Sequence, residues 1–130
     1  MTQTPQLLTA NLGYAMPRMI VAAGLENVFR EAMATVQETY EKIAAFNPEV
    51  AAYVVPNAFN RRVMLTLNMR SAHHVIRLRT APNAHFAMRR VASRILEYIQ
   101  GVHPLLSGLL FPERQEDWRQ IEQCYFAQTG

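Results

Sequence analysis

Apolar residues recur every three or four positions through LENVFREAMATVQETYEKIAAF, residues 25–46. Leu25, Phe29, Ala32, Val36, Tyr40 and Ile43 fall on one side of a helix, and Glu38 and Lys42 form an i,i+4 pair on the other. The pattern predicts a helix over 25–45, with Gly24 at its start. A short second helix is expected next. Asn47 can cap it, Pro48 suits its first position, Glu49 complements the helix dipole, and Pro56 ends it. The period then changes. In RRVMLTLN, Val63, Leu65 and Leu67 alternate with Arg62, Met64, Thr66 and Asn68, which is the two-residue period of a strand. It is a single strand, so its partner must come from elsewhere in the chain.

Helical spacing returns over 69–79, where Ala72, Val75, Ile76 and Arg79 share one face and Arg70, His74 and Arg77 another. Arg79 therefore extends an apolar stripe, a place where a charge calls for a buried anion. After TAPN, Asn83 is expected to cap a helix over 84–100. Met88, Val91, Ala92, Ile95 and Ile99 would face its core, Arg89, Arg90, Ser93 and Glu97 would face outward, and Gly101 would stop it. HPLLSGLLFP reads as apolar and turn-rich. A closing helix is expected from Pro112, with Trp118, Ile121 and Tyr125 on one side. Residues 1–17 have no clear period and read as an arm or loop, leaving 18–130 as a single domain. The expected fold is α+β and mostly helical, with one or two strands.

Charge changes this picture more than composition does. Twelve of the thirteen basic residues are arginine, and residues 50–96 hold eight arginines and no Asp or Glu. The ten acids lie in residues 26–49 and 97–122. Arginine is the fork that suits phosphate. The segment reads either as an anion-binding surface for a nucleotide, nucleic acid or phosphate-bearing cofactor, or as a basic face that is solvated or paired with acids from the flanking segments.

Other chemistry is easier to set aside. No apolar run approaches the roughly 20 residues that span a bilayer, and the first residues lack the basic and apolar regions of a signal peptide, so a cytoplasmic protein is expected. Cys124 is the one cysteine and is expected to be a buried or inert thiol. There is no zinc spacing, no Gly-rich phosphate loop and no nucleophile triad: Ser71 lies near His74, but no local acid orients that histidine. His73 and His74 point to different sides of a helix, and His85 and His103 read as ordinary hydrogen-bonded residues. What remains is Asn68, Arg70, Ser71, His74 and Arg79 at a strand-to-helix junction, where polar groups and helix-start amides can hold an anionic ligand.

Within NMRSAHHVIRLRTAPNAHFAMRRVA, residues 68–92, those positions follow a recognisable order. The segment resembles the C-terminal part of the flavin-dependent thymidylate synthases, with their strand ending in N-x-R, a helix ending in L-x-L-R or similar, a spacer and A-Q-x-E-I-R. Upstream, YEKIAAFNPEVAAYVVP resembles the family's helix and its E-x-A-R-x-x-L-P segment. The likeness covers about residues 25–105. It implies that Asn68 and Arg70 contact FAD, and that His74 stands where the family usually has a flavin-contacting asparagine. It implies that Arg79, preceded by Leu78, binds dUMP. The family makes dTMP from dUMP with methylene-tetrahydrofolate as carbon source and reduced flavin as hydride source, in homotetramers with shared active sites.

Three departures bear on activity. The family's R-H-R-x7-S signature does not occur in the chain. Ala52 replaces the dUMP-binding arginine of E-x-A-R, and His85 and Ala87 replace the glutamine and acid of A-Q-x-E-I-R. Each lost charge-assisted contact costs roughly 1.5–3 kcal/mol of binding. The chain alone is therefore not expected to methylate dUMP, and no residue is assigned as catalytic. It reads as part of a longer synthase-like protein, as one subunit of a split enzyme whose partner subunit supplies the missing half, or as a synthase-like relic that binds without catalysis. A non-catalytic nucleotide- or nucleic-acid-binding basic module and an oligomerising structural domain of a longer protein stay open beside these. A homo-oligomer, dimer or tetramer, is expected in each case.

Overall fold

The computed structural model describes residues 2–127; Met1 and residues 128–130, the outer ends of the expected arm and domain, lie outside the described residues. The fold is α+β and mostly helical, as the patterns predict, and the described residues include four short strands in two two-stranded sheets. Contacts gather into two compact units, one built on residues 3–64 with 126–127, the other on residue 2 with 65–125.

The expected N-terminal arm is structured. Strand β1 (Thr2–Pro5) pairs with β3 (Val63–Thr66), supplying the partner the alternating stretch needed. Thr9 caps a 3-10 turn over Ala10–Leu12, which ends at Gly13 with φ +69°, a left-handed conformation glycine adopts without strain. Asn60 ties this turn down, its side chain donating to the Leu12 carbonyl at 2.9 Å and its amide to the Gly13 carbonyl at 2.9 Å. Strand β2 (Met16–Pro17) pairs antiparallel with β4 (Phe126–Ala127), and the one-turn helix α1 (Arg18–Ala22) leads to Gly24, also left-handed.

Helix α2 (Glu26–Ala44) matches the prediction in extent but is rotated slightly in burial. Met33 and Tyr40 are buried, Phe29, Val36 and Ile43 half-buried, and Ala32 and Leu25 exposed. Asn47 caps α3 (Pro48–Ala51) as expected, accepting from the amides of Glu49 and Val50. Ala10, Met33, Tyr40, Ala51, Val55 and Phe59 form this unit's core. Tyr14 meets Phe29 and Phe59 edge-to-face at 5.9 and 5.8 Å, the arrangement aromatic quadrupoles favour.

The second unit is four helices: α4 (Met69–Arg79), α5 (Phe86–Val102), α6 (Pro104–Ser107) and α7 (Trp118–Tyr125). Its core is smaller and aliphatic, with Ala72, Ile76 and Leu110 buried against Leu67, Met69, Ile95, Leu96 and Ile99. Helix α4 has the predicted bounds, whereas α5 departs from prediction at both ends. His85, not Asn83, caps it, its Nδ1 accepting from the Ala87 amide at 3.2 Å, and Gly101 lies inside its last turn. The closing helix begins at Trp118; Pro112–Asp117 are spent on a loop whose acids reach the other helices. Cys124 is exposed, so of the buried or inert thiol expected the buried alternative does not hold. No helix among the described residues is long and apolar enough to cross a membrane.

Candidate functional site

The site positions are set by α4. Asn68 is its N-cap, with extended backbone and Oδ1 accepting from the Ser71 amide at 2.8 Å. That bond uses the side-chain oxygen and leaves the amide nitrogen as a donor. Arg70, His74 and Leu78 follow at four-residue steps, so they line one solvent-facing side of the helix, and all three are exposed. Arg79 is nine residues beyond Arg70, about half a turn around the helix at about 100° per residue. The structure thus brings Arg70, His74 and Leu78 onto one face and sets Arg79 on another.

Arg79 is exposed, so a buried anion is not required to explain its position. The buried row runs Ala72, Ile76, Thr80: Thr80 takes the next place in the core because its hydroxyl donates to the Ile76 carbonyl at 2.8 Å and accepts from the Glu113 amide at 2.9 Å. A hydroxyl satisfied twice tolerates that burial; an unpaired guanidinium does not.

The arginine-rich segment divides sharply. Arg77, Arg89 and Arg90 pair with Glu113, Glu116 and Glu122, all from the C-terminal acidic stretch. Arg89 was expected to face outward but is 7 % exposed. Its Nε donates to Glu116 at 2.9 Å, one Nη to the Ala84 carbonyl at 2.9 Å and the other to the Tyr125 hydroxyl at 3.3 Å. Ser93, one turn on, is buried too, while Met88 and Val91, expected in the core, are exposed. Arg94 and Arg119 lie over the Trp118 ring, 4.9 and 4.4 Å from its centroid. Glu97 accepts from Arg119 and from the Trp118 indole nitrogen, and these bonds hold its carboxyl below the usual carboxylate range. Among the described residues Arg62, Arg70 and Arg79 carry no ion pair or hydrogen bond, so these three keep the forks that an anion could use.

Two histidines near the site are structural. His73 bonds the Leu109 carbonyl through Nδ1 at 3.0 Å and meets Phe111 edge-on, and His85 is a cap. His74, Arg77, Leu78, Ala81 and Glu113 line an open cavity of about 260 Å³. A larger one, about 450 Å³, lies between α5 and the loop before α7, with Ser93, Leu96, Leu110, Pro112 and Trp118 in its wall. Pairing with acids from the flanking segments, one of the two readings of the basic stretch, holds for Arg77, Arg89 and Arg90, whereas the burial of Arg89 was missed. Its signal was the spacing of Glu113, Glu116 and Glu122, which matches an arginine-only segment that must find its acids elsewhere.

Comparison with known proteins bears out the family resemblance. Residues 3–105 match the family model of the thymidylate synthase complementing protein. The chain belongs to that family. A UPF0159 protein of Chlamydia muridarum is 37 % identical over 110 residues, covering 85 % of this chain and 21 % of that protein. One of Thermoplasma acidophilum is 34 % identical over 105 residues, covering 79 % and 21 %. The flavin-dependent thymidylate synthase of Sulfurisphaera tokodaii is 31 % identical over 90 residues, covering 68 % of this chain and 34 % of the enzyme. The chain thus spans about a fifth of the length of the UPF0159 relatives and about a third of that enzyme.

Proposed function

We propose that the chain is a flavin-dependent thymidylate synthase-like domain that binds FAD and a uridine nucleotide such as dUMP, and that it does not methylate dUMP by itself. The observation that carries this reading is the state of α4. In a unit where most arginines are committed to acids or rings, Arg70 and Arg79 are exposed and unpaired, on the helix whose motif resembles the family's cofactor and substrate segment. Asn68 through its amide nitrogen, Arg70 and His74 would hold FAD. Arg79, with Leu78 beside it, would hold the nucleotide. Because Arg79 faces away from Arg70, one copy of α4 serves the two ligands from two sides.

The fit to FAD is partial. Arg70 offers two N–H donors in a plane to a diphosphate, and His74 a ring edge to a base or flavin. The cavity beside His74, about 260 Å³, falls short of the roughly 300–1,000 Å³ of a ligand pocket. These residues make one wall of a site, and a second copy or a partner subunit supplies the rest. The reading therefore includes a cytoplasmic homo-oligomer or a complex with a missing half. When bound, FAD supplies the hydride chemistry; this chain's residues bind and orient it.

The test is the visible absorption of the purified protein after FAD is added and unbound cofactor removed. A retained flavin band that is lost in Arg70→Ala supports the reading, and a protein that never retains FAD removes FAD binding by this chain without a partner subunit. Arg79→Ala should weaken dUMP binding at least tenfold, the loss of about 1.5–3 kcal/mol of charge-assisted contact, with folding intact. Nucleic-acid binding instead predicts steep salt dependence and an equal loss in Arg62→Ala. Arg89 is no surface control for this comparison, since it is buried in the α5–α7 network.

A further inference from the structure

The cavity of about 450 Å³ between α5 and the loop before α7 takes no part in the reading of α4. Its volume lies within the roughly 300–1,000 Å³ of a ligand site. Most of its lining follows residue 105, where the family match ends, so it is separate from the cofactor and nucleotide wall on α4. One side chain in it is not explained by packing. Ser93 lines the cavity and is 8 % exposed, and among the described residues its hydroxyl makes no hydrogen bond. It lacks even the bond to the carbonyl four residues back that Thr80 makes to Ile76. A hydroxyl that deep is unfavourable until something bonds it. No fully enclosed side-chain atom among the described residues lacks a partner, so the Ser93 oxygen keeps some open surface, and the cavity is what it borders.

The charges around it are unevenly matched. Glu116 is held between two guanidiniums, Oε2 by Arg89 Nε at 2.9 Å and Oε1 by Arg114 Nε at 3.1 Å. One carboxylate against two arginines leaves one positive charge at that end, and the Nη nitrogens of Arg114 carry no bond among the described residues. At the other side Glu97 and Asp117 share Arg119, and Arg94 lies over the Trp118 ring that Glu97 bonds, so acids and arginines are equal there. We infer that the cavity binds a small organic monocarboxylate with an aliphatic body. The free Nη pair of Arg114 presents two N–H groups in a plane, the match for a carboxylate. Ser93 lies one turn along α5 from Arg89, at the same end as Arg114, and its hydroxyl donates to a remaining lone pair. Leu96, Leu110 and Pro112 supply the apolar wall for the body. A monoanion neutralises the one unmatched charge, whereas a phosphate dianion would set a further charge against Glu97 and Asp117. The inference does not depend on the cofactor reading.

Trp118, the chain's one tryptophan, lines the cavity and reports on it. Hexanoate titrated into the full chain should change its fluorescence saturably, with a Kd on the order of 1 mM, what a ligand of so few atoms reaches. Calorimetry should return the same constant. Arg114→Gln, at an exposed position, and Ser93→Ala, which removes one unbonded oxygen, should each weaken binding about tenfold, with circular dichroism unchanged. Lys42→Gln, which removes a positive charge from the other unit, should leave it intact. Hexylamine, with the same body and a cationic head, and inorganic phosphate should not compete. Absence of saturable binding by both methods up to about 20 mM hexanoate overturns the inference. So does binding that survives both Arg114→Gln and Ser93→Ala, which would place it elsewhere. Competition by phosphate as strong as hexanoate's overturns it as well, since the cavity would then hold a bare anion and the apolar wall would contribute nothing.

Discussion

The two units of this chain are held together by different chemistry. Around residues 3–64 the core is aromatic and aliphatic: Phe59, Tyr40 and Met33 pack with Tyr14 and Phe29, and among the described residues no charged side chain is buried with them. In residues 65–125 the buried aliphatic group is small, and the helices are joined by arginines. Arg89 is the clearest case, its guanidinium shared among Glu116, the Ala84 carbonyl and Tyr125. Burying a charge is costly unless every donor finds a partner, and here the acidic loop before α7 supplies the partner. The lesson is about reading basic segments. Arginine density over residues 50–96 suggests an anion surface, but part of that density is internal cement, and only the arginines left over are available to a ligand.

The largest expected effects test this contrast directly. Arg89→Ala leaves Glu116 with Arg114 alone, at 3.1 Å, and takes a donor from the Ala84 carbonyl and the Tyr125 hydroxyl, and should lower stability by about 3 kcal/mol, the low end for a broken buried pair. Urea unfolding followed by Trp118, the chain's one tryptophan, which lies in the same unit, reads it. The double variant Arg89→Met/Glu116→Leu should recover much of that loss, because an apolar pair of similar volume avoids the desolvation cost. If it recovers nothing, the Tyr125 and Ala84 bonds carry the stability instead. Phe59→Ala should cost a similar amount or more, about 3–5 kcal/mol, through a cavity rather than through lost charge-assisted bonds, while Phe46→Ala, 89 % exposed, should change stability by less than about 0.5 kcal/mol.

A middling effect is expected at Asn68. Asn68→Ala removes the α4 cap and should cost about 1 kcal/mol by chemical denaturation, with Asn68→Asp recovering it. The smallest effect is at Glu97. Its folded carboxyl titrates below its unfolded value because Arg119 and Trp118 bond the ionised form. Its contribution to stability is therefore complete above the unfolded carboxylate pKa and is lost as pH falls through the lower folded value. Glu97→Gln should flatten that part of the acid limb in a melting-temperature series. An acid limb identical to the parent's would mean that this exposed pair contributes nothing measurable.

Local pattern was legible where one physical cause dominates. The bounds of α4, the body of α2 and the Asn47 cap follow from apolar period and from side-chain oxygens beside orphan amides. Asn68, Arg70, Ser71, His74 and Arg79 could be picked out as a constellation; the structure puts Arg70 and His74 on one helix face, with Leu78, and Arg79 on another. The face of α5 could not be read, because period alone places Met88 and Val91 inside and Arg89 outside. The answer depended on acids more than twenty residues away. The same holds for His85, which took the cap expected at Asn83 once the chain had turned through Ala81–Asn83.

The sequence by itself determined the helical class, the strand-to-helix junction and the family motif, since these rest on spacing within one or two turns. Only the tertiary structure decided which arginines are spent. Whether a guanidinium is a core residue or a free anion site depends on whether a carboxylate from a distant segment reaches it, and that is a property of how helices pack rather than of any stretch of the chain.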